Sequence, residues 1–208
     1  MKKILVIAVA LFLAWPAFSQ SGVRFGIKAG GNLTFSKVGV QNVSVKGDSR
    51  FGFYAGGLME ISPVYPENKF KIQVEALYNR ANVQFSQSTV DEQKGQLNIN
   101  QIVVPLLAKY FIIPELSVNL GPTFNYNLGG TQSVIDTSGV KVSTDIGKDD
   151  LNAFQIGLAA GLTYYVCDGL FIDARYTPLF GSFNKKADDD LGVKYRMSGI
   201  QLGIGYKF

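Results

Sequence analysis

A chain of 208 residues with 20 Lys and Arg, 16 Asp and Glu and no His carries a formal charge of +4, too mild to suggest a nucleic-acid partner. The absence of histidine removes Ser-His-Asp catalysis and the usual zinc sites. Cys167 is the only cysteine, so an exported chain cannot form an internal disulfide and needs another device to hold its fold.

Residues 1–19 read as a cleaved secretory signal peptide. Lys2 and Lys3 make a positive start, Ile4 to Trp15 an apolar run, and Ala17-Phe18-Ser19 a small-x-small site with cleavage before Gln20. The apolar run is shorter than the ~20 residues a spanning helix needs. No cysteine lies at the cleavage site, which argues against a lipoprotein. Residues 20–208 remain as one domain with a formal charge of +2, since Lys2 and Lys3 are lost. No later segment resembles a spanning helix, so a membrane location requires a barrel.

Eight segments from Val23 onward alternate with period 2, the mark of extended strands with unlike faces. The first, Val23 to Phe35, sets Val23, Phe25, Ile27, Ala29, Leu33 and Phe35 against Arg24, Gly26, Lys28, Gly30, Asn32 and Thr34. Phe51 to Ile61 and the segment from Phe70 to Asn79 follow, with Glu60, Lys71 and Glu75 on their second faces. The fourth, about Leu97 to Tyr110, slips near Asn100-Gln101, where a bulge is expected. Its Pro105 removes a ladder donor and counts against a central strand. Leu116 to Leu128 is the most regular, opposing Leu116, Val118, Leu120, Phe124, Tyr126 and Leu128 to Ser, Asn, Gly and Thr. Phe154 to Val166 and Leu170 to Phe180 come next, the latter carrying Asp173 and Arg175 on its second face. The last, Tyr195 to Phe208, alternates Ile200, Leu202, Ile204, Tyr206 and Phe208 with Gln201, Gly203, Gly205 and Lys207. Each is long enough for the ~9–11 residues of a tilted spanning strand.

The connections alternate in length. Short ones lie at Ser62–Lys69, Ile112–Glu115 and Cys167–Gly169; long polar ones lie at Ser36–Arg50, Ser86–Gln96, Gly129–Asn152 and Gly181–Lys194. The pattern predicts an all-β fold: an eight-stranded antiparallel up-and-down transmembrane β-barrel with short periplasmic turns and long extracellular loops, in the cell outer membrane. A soluble barrel would turn the apolar face inward. Aromatic placement decides between the two. Phe25, Phe70, Tyr110, Tyr164, Tyr206 and Phe208 sit near the short turns; Phe35, Phe51, Phe53, Tyr78, Phe124, Tyr126, Phe154 and Tyr176 sit near the long loops. Two aromatic belts around an aliphatic band are what two membrane interfaces select. The opposite face then lines a lumen only just wide enough for its side chains. Inward glycines leave room for a polar plug in which Glu60, Glu75 and Asp173 pair with Arg24, Lys28, Lys71, Lys109, Arg175 or Lys207, because buried charges need partners. A cation-lined pore is the functional alternative.

These strands resemble the PorT-like family of small outer-membrane β-barrels, a relative in shape of the OmpA transmembrane domain. The likeness rests on Arg24-Phe25-Gly26-Ile27-Lys28-Ala29-Gly30-Gly31-Asn32, Phe70-Lys71-Ile72-Gln73-Val74-Glu75-Ala76-Leu77-Tyr78 and Ile102-Val103-Val104-Pro105-Leu106-Leu107-Ala108-Lys109-Tyr110. Asp173-Ala174-Arg175-Tyr176 and the ending Gly203-Ile204-Gly205-Tyr206-Lys207-Phe208 add to it. The resemblance implies eight outer-membrane strands, admits Pro105 in the fourth, and brings no catalytic residue. It also implies that the ending, with Leu202, Ile204, Tyr206 and Phe208 on one face, is the signal read by the barrel-assembly machinery. The family's namesake is associated with protein secretion.

The expected role is therefore non-enzymatic, structural or surface-interacting, with no cofactor and no metal. The expected partners are outer-membrane lipid, the assembly machinery during insertion, and envelope or secretion proteins. An accessory subunit of an export or envelope-assembly complex and a narrow pore are the other readings. Asp188-Asp189-Asp190 and Asp149-Asp150 suit a divalent cation in principle, but acidic loop residues are ordinarily solvated. Lys185 and Lys186 suit lipid phosphates.

Overall fold

Backbone polar groups in hydrocarbon must be satisfied within the protein, and for strands that means a closed ladder. The computed structural model shows such a closure. It describes residues 22–40, 43–46, 48–63, 69–87, 93–135, 141–146, 152–180 and 194–208. The strands are β1 (Val23–Val40), β2 (Val43–Lys46), β3 (Asp48–Ile61), β4 (Phe70–Gln87), β5 (Gln93–Ile113), β6 (Leu116–Ile135), β7 (Lys141–Ile146), β8 (Phe154–Tyr165), β9 (Leu170–Phe180) and β10 (Lys194–Lys207). Eight of them, β1, β3, β4, β5, β6, β8, β9 and β10, pair antiparallel in that order. The ring closes where β1 pairs β10 from Gly26↔Lys207 to Gly39↔Lys194. Both ends of the described chain meet at the periplasmic rim: Ser62 N donates to Gly22 O at 2.9 Å and Phe208 N to Phe25 O at 2.8 Å.

The eight predicted segments are the eight staves, but five of them, β1, β3, β4, β5 and β6, run well beyond the apolar alternation. Parts of the expected long loops are ladder: β2 pairs the end of β1, β7 pairs the end of β6, and β4 and β5 stay paired out to Gln87↔Gln93. Beyond the bilayer a ladder no longer needs an apolar face, so the sequence signal fades while pairing continues. The signal peptide, Asp149-Asp150, Lys185, Lys186 and Asp188-Asp189-Asp190 lie outside the described residues.

The apolar faces point outward. Ile27, Leu106, Leu120, Leu162, Ile172, Leu202 and Ile204 are exposed in the aliphatic band, and Phe51, Phe53, Tyr110, Phe154, Tyr164, Tyr176 and Phe208 in the two belts. Past Tyr78 the same face of β4 carries the exposed Arg80, which marks the upper edge of the band.

The expected bulge is present, but on the neighbouring strand. β5 keeps one register against β4 through Asn100 and Gln101. Against β6 it steps from Asn100↔Gly129 to Gln101↔Asn127, leaving Leu128 unmatched. Gly129 takes φ 134°, a conformation that other residues rarely adopt. The slip in the β5 pattern has a simpler cause: Ile99 faces inward and is fully buried.

Three prolines sit in this edgeless sheet, one of them Pro178 of β9, which pairs with Ser198 on β10 and is skipped on the β8 side. Pro105 keeps its place opposite Thr123 on β6, while the ladder to β4 passes from Val74↔Leu106 directly to Leu77↔Val103. Pro122 is paired to Leu158 on β8 and skipped on the β5 side. Each missing N–H thus interrupts one ladder without shifting its register.

Candidate functional site

Inward positions along each staff build the lumen in layers. At the periplasmic end β3 supplies Glu60, β4 Lys71, β5 Lys109 and β10 Lys207. The three lysine side chains converge on the one carboxylate. Lys71 Nζ lies 3.3 Å from Glu60 Oε1, Lys109 Nζ 3.3 Å from Oε2, and Lys207 Nζ donates to Oε2 as well. The Tyr165 hydroxyl accepts from Lys109 at 3.1 Å and from Lys207 at 2.6 Å, and donates to Glu60 Oε2 at 3.4 Å. Aromatic faces complete this layer, with Lys71 Nζ 4.7 Å from the centre of the Phe111 ring and Lys207 Nζ 5.3 Å from that of Phe171.

One layer higher, Arg175 forks onto Glu75, with 2.8 and 2.9 Å contacts, and reaches Asp173 at 2.7 Å. Lys28 Nζ donates to Asp173 at 2.5 Å and lies 3.7 Å from Glu75. The Tyr54 hydroxyl donates to the other Asp173 oxygen at 3.4 Å. Gln73 joins the layers, accepting from Lys109 at 3.1 Å and donating to Glu75. Lys28, Glu75, Asp173 and Arg175 are all buried. Two cations against two carboxylates, joined by a bidentate guanidinium, is a geometry in which attraction can offset desolvation.

The layer needs room, and missing side chains provide it. A Cβ at Gly30 would come 2.7 Å from the Tyr54 hydroxyl, and one at Gly203 would come closer still. The Tyr54 ring fills the space these two glycines leave.

Above the ions runs a chain of amides. Asn32 Nδ2 donates to Asn79 Oδ1 at 2.5 Å, Asn79 to Gln101 at 3.0 Å, and Gln101 to Asn127 at 2.7 Å. Asn127 donates to Asn152 O at 2.6 Å. Asn79, Gln101 and Asn127 each accept from one neighbour and donate to the next, so the chain polarises along its length.

Of the nine charged residues expected in the lumen, eight meet in these two layers and Arg24 does not. Although Arg24 stands opposite Glu60 in the β1–β3 register, its side chain is 54% exposed at the rim and lies 3.8 Å from Asp168. It is too near the strand end to be enclosed. The lumen is also less polar than its sequence face suggested. Leu58, Leu77, Val103, Leu107, Ala159 and Phe171 are buried among the charged groups, because so narrow a bore is packed as a core. Tyr54, Gln73 and Tyr165 were not singled out beforehand, and their inward parity was the available signal. Leu202, Ile204, Tyr206 and Phe208 form the outer face of β10, the last two rings packed edge to face at 5.3 Å. Cys167 is exposed as a free thiol.

Residues 18–185 match the family described as outer membrane protein beta-barrel domain. The chain belongs to that family. Membership makes it an outer-membrane barrel and gives the apolar wall its solvent. No curated protein matches the sequence. Among solved structures, Ail, the attachment invasion locus protein of Yersinia pestis, is 17% identical, covering 89% of this chain and 99% of its own, with a TM-score of 0.49. Neisserial surface protein A is 17% identical over 88% of this chain and 97% of its own, TM-score 0.48. OprG from Pseudomonas aeruginosa is 14% identical over 90% and 97%, TM-score 0.44.

Proposed function

We propose that this outer-membrane β-barrel is a non-enzymatic protein with a structural or surface-interaction role and a lumen plugged by its own side chains. The observation that carries the reading is the Arg175 layer. Four buried charges from β1, β4 and β9 reach across the bore and neutralise one another there. Passage of an ion past them would break contacts that compensate buried charge. What remains for interaction is the extracellular end, where connecting segments are free to vary on a rigid scaffold. Purified protein refolded into planar bilayers tests this: the expected result is no steady single-channel opening, and regular openings would make it a pore.

The resemblance to PorT-like chains favours a second reading, an accessory component of a secretion or envelope-assembly complex. Purification in mild detergent separates the two. A stoichiometric envelope partner supports the accessory role, and its repeated absence supports the solitary one. In both readings residues 1–19 are removed on export and the ending at Phe208 addresses the barrel-assembly machinery. Deleting Phe208 should then lower the amount of folded barrel in the membrane, and unchanged levels would dismiss that role.

A further inference from the structure

Arg80 is the one charge on the lipid-facing wall. Its side chain is exposed on β4, two residues above Tyr78, and the other outward positions of the eight staves with described side chains are uncharged. It stands ten residues beyond Phe70 at the periplasmic end of the strand. That is roughly 33 Å of strand at about 3.3 Å per residue, and about 25 Å of height at a tilt near 40°. The apolar band of such barrels is ~25 Å tall, so the guanidinium stands where hydrocarbon gives way to the headgroups of the outer leaflet.

Carboxamides stand beside it. In register Arg80 faces Asn100 on β5, and Asn82 faces Asn98. Asn98 and Asn100 share the outward side of β5, because Ile99 and Gln101 are buried in the lumen. The Tyr78 hydroxyl donates to Asn100 Oδ1 at 2.9 Å, which holds that amide on the outer face; among the described residues its Nδ2 has no acceptor. No carboxylate among the described residues pairs with Arg80. On its other flank Arg80 stands opposite Phe53, whose ring lies 6.2 Å from that of Tyr78. A guanidinium fork matches phosphate oxygens in pairs, and carboxamides donate to further oxygens or to sugar hydroxyls. The exposed rings of Phe53 and Tyr78 and the side chain of Ile102 lie directly below, on the hydrocarbon side.

We propose that Arg80, Asn98 and Asn100 form a site for the phosphorylated sugar headgroup of an outer-leaflet glycolipid, its acyl chains running down the wall over Phe53, Tyr78 and Ile102. Such a site gives the lipid partner a fixed place, and it is independent of conduction and of any secretion partner.

Native mass spectrometry of the full barrel in detergent tests this, with lipid A as the probe. The unmutated barrel should bind lipid A about tenfold more tightly than the same lipid stripped of its phosphates, the scale of a charge-assisted contact. Equal retention of the two lipids would overturn the site, and this comparison needs no variant. Arg80→Gln, checked for folding by its unheated gel mobility, should bind lipid A no better than the stripped lipid. Arg80→Lys, which keeps the charge but not the fork, should fall between. Undiminished binding by Arg80→Gln would place the lipid elsewhere and overturn the assignment. Two competitors separate the sources of the anion, and both should displace lipid A poorly. Displacement by phosphatidylglycerol would mean general attraction of anionic lipid, and displacement by inorganic phosphate would mean a site for the free ion; either overturns the glycolipid.

Discussion

Around Arg175 two cations face two carboxylates; around Glu60 three lysines share one. The upper layer lies mid-strand, with Lys28, Glu75, Asp173 and Arg175 all enclosed. It compensates charge by direct pairing and bidentate geometry. The lower layer lies at the periplasmic strand ends, where the Lys71 side chain keeps 22% exposure. It tolerates an excess of positive charge through a phenol, an amide oxygen and the ring faces of Phe111, Tyr165 and Phe171. Solvent reaches the lower layer at Lys71 alone, the Glu60, Lys109 and Lys207 side chains being as buried as those above, and that opening contributes to the difference. Desolvation grows with distance from water, so charge balance has to be strict at mid-lumen and can be looser at the mouth.

The largest effect should come from unbalancing the strict layer. Arg175→Met leaves Glu75 and Asp173 with Lys28 alone, and removing one partner from a buried ionic set typically costs about 3–5 kcal/mol. Urea unfolding in lipid vesicles would read that loss, and a near-neutral result would mean that water reaches this layer freely. The outer wall supplies a reference of similar size. Leu202 is 60% exposed on the outer face of β10. Phe208 lies six residues further on, roughly 20 Å at about 3.3 Å per residue. A strand tilt near 40° places Leu202 about 15 Å up a band ~25 Å tall. Leu202→Arg should therefore cost about 2–4 kcal/mol, and Gln201→Arg, on the inner face, should respond to lumen packing instead. Equal costs with equal dependence on bilayer thickness would remove the distinction between wall and lumen.

The wall was legible in the sequence because one solvent imposes one rule on every second residue. Hydrocarbon admits no charge across eight staves, so alternation and the aromatic belts survive in the text of the chain. The partners inside the lumen were not legible to the same degree. Lys28 and Asp173 are 145 residues apart, and their meeting depends on the closure of β1 on β10 and the stagger of every intervening strand. Arg24 and Glu60 show the limit: direct neighbours in register, they part because one stands at the open rim. Leu107 and Phe171 stand buried at inward positions on the same strand faces as Lys109 and Asp173, because volume decides what fills a narrow bore. Strand ends above the bilayer left little trace for a related reason, since nothing there enforces alternation.

The looser layer should lose less, and in a graded way. Glu60→Gln removes the shared carboxylate from three ammonium groups, and about 1.5–3 kcal/mol is expected, the range for hydrogen bonds to charged groups. Adding Lys109→Met to that variant should recover part of the loss by removing one uncompensated charge, a coupling that a double-mutant cycle measures. Additive losses would mean that the three lysines are not held by a common counter-charge. Lys71→Met should cost least, about 0–1 kcal/mol, because its ammonium group is reached by solvent and pairs as a surface group does. Its small effect should shrink further as salt rises, since ions screen an accessible pair, while the loss from Arg175→Met should barely change. If Lys71→Met costs as much as Arg175→Met and ignores salt, the mouth is as dry as the centre, and solvent access is not what separates the two layers.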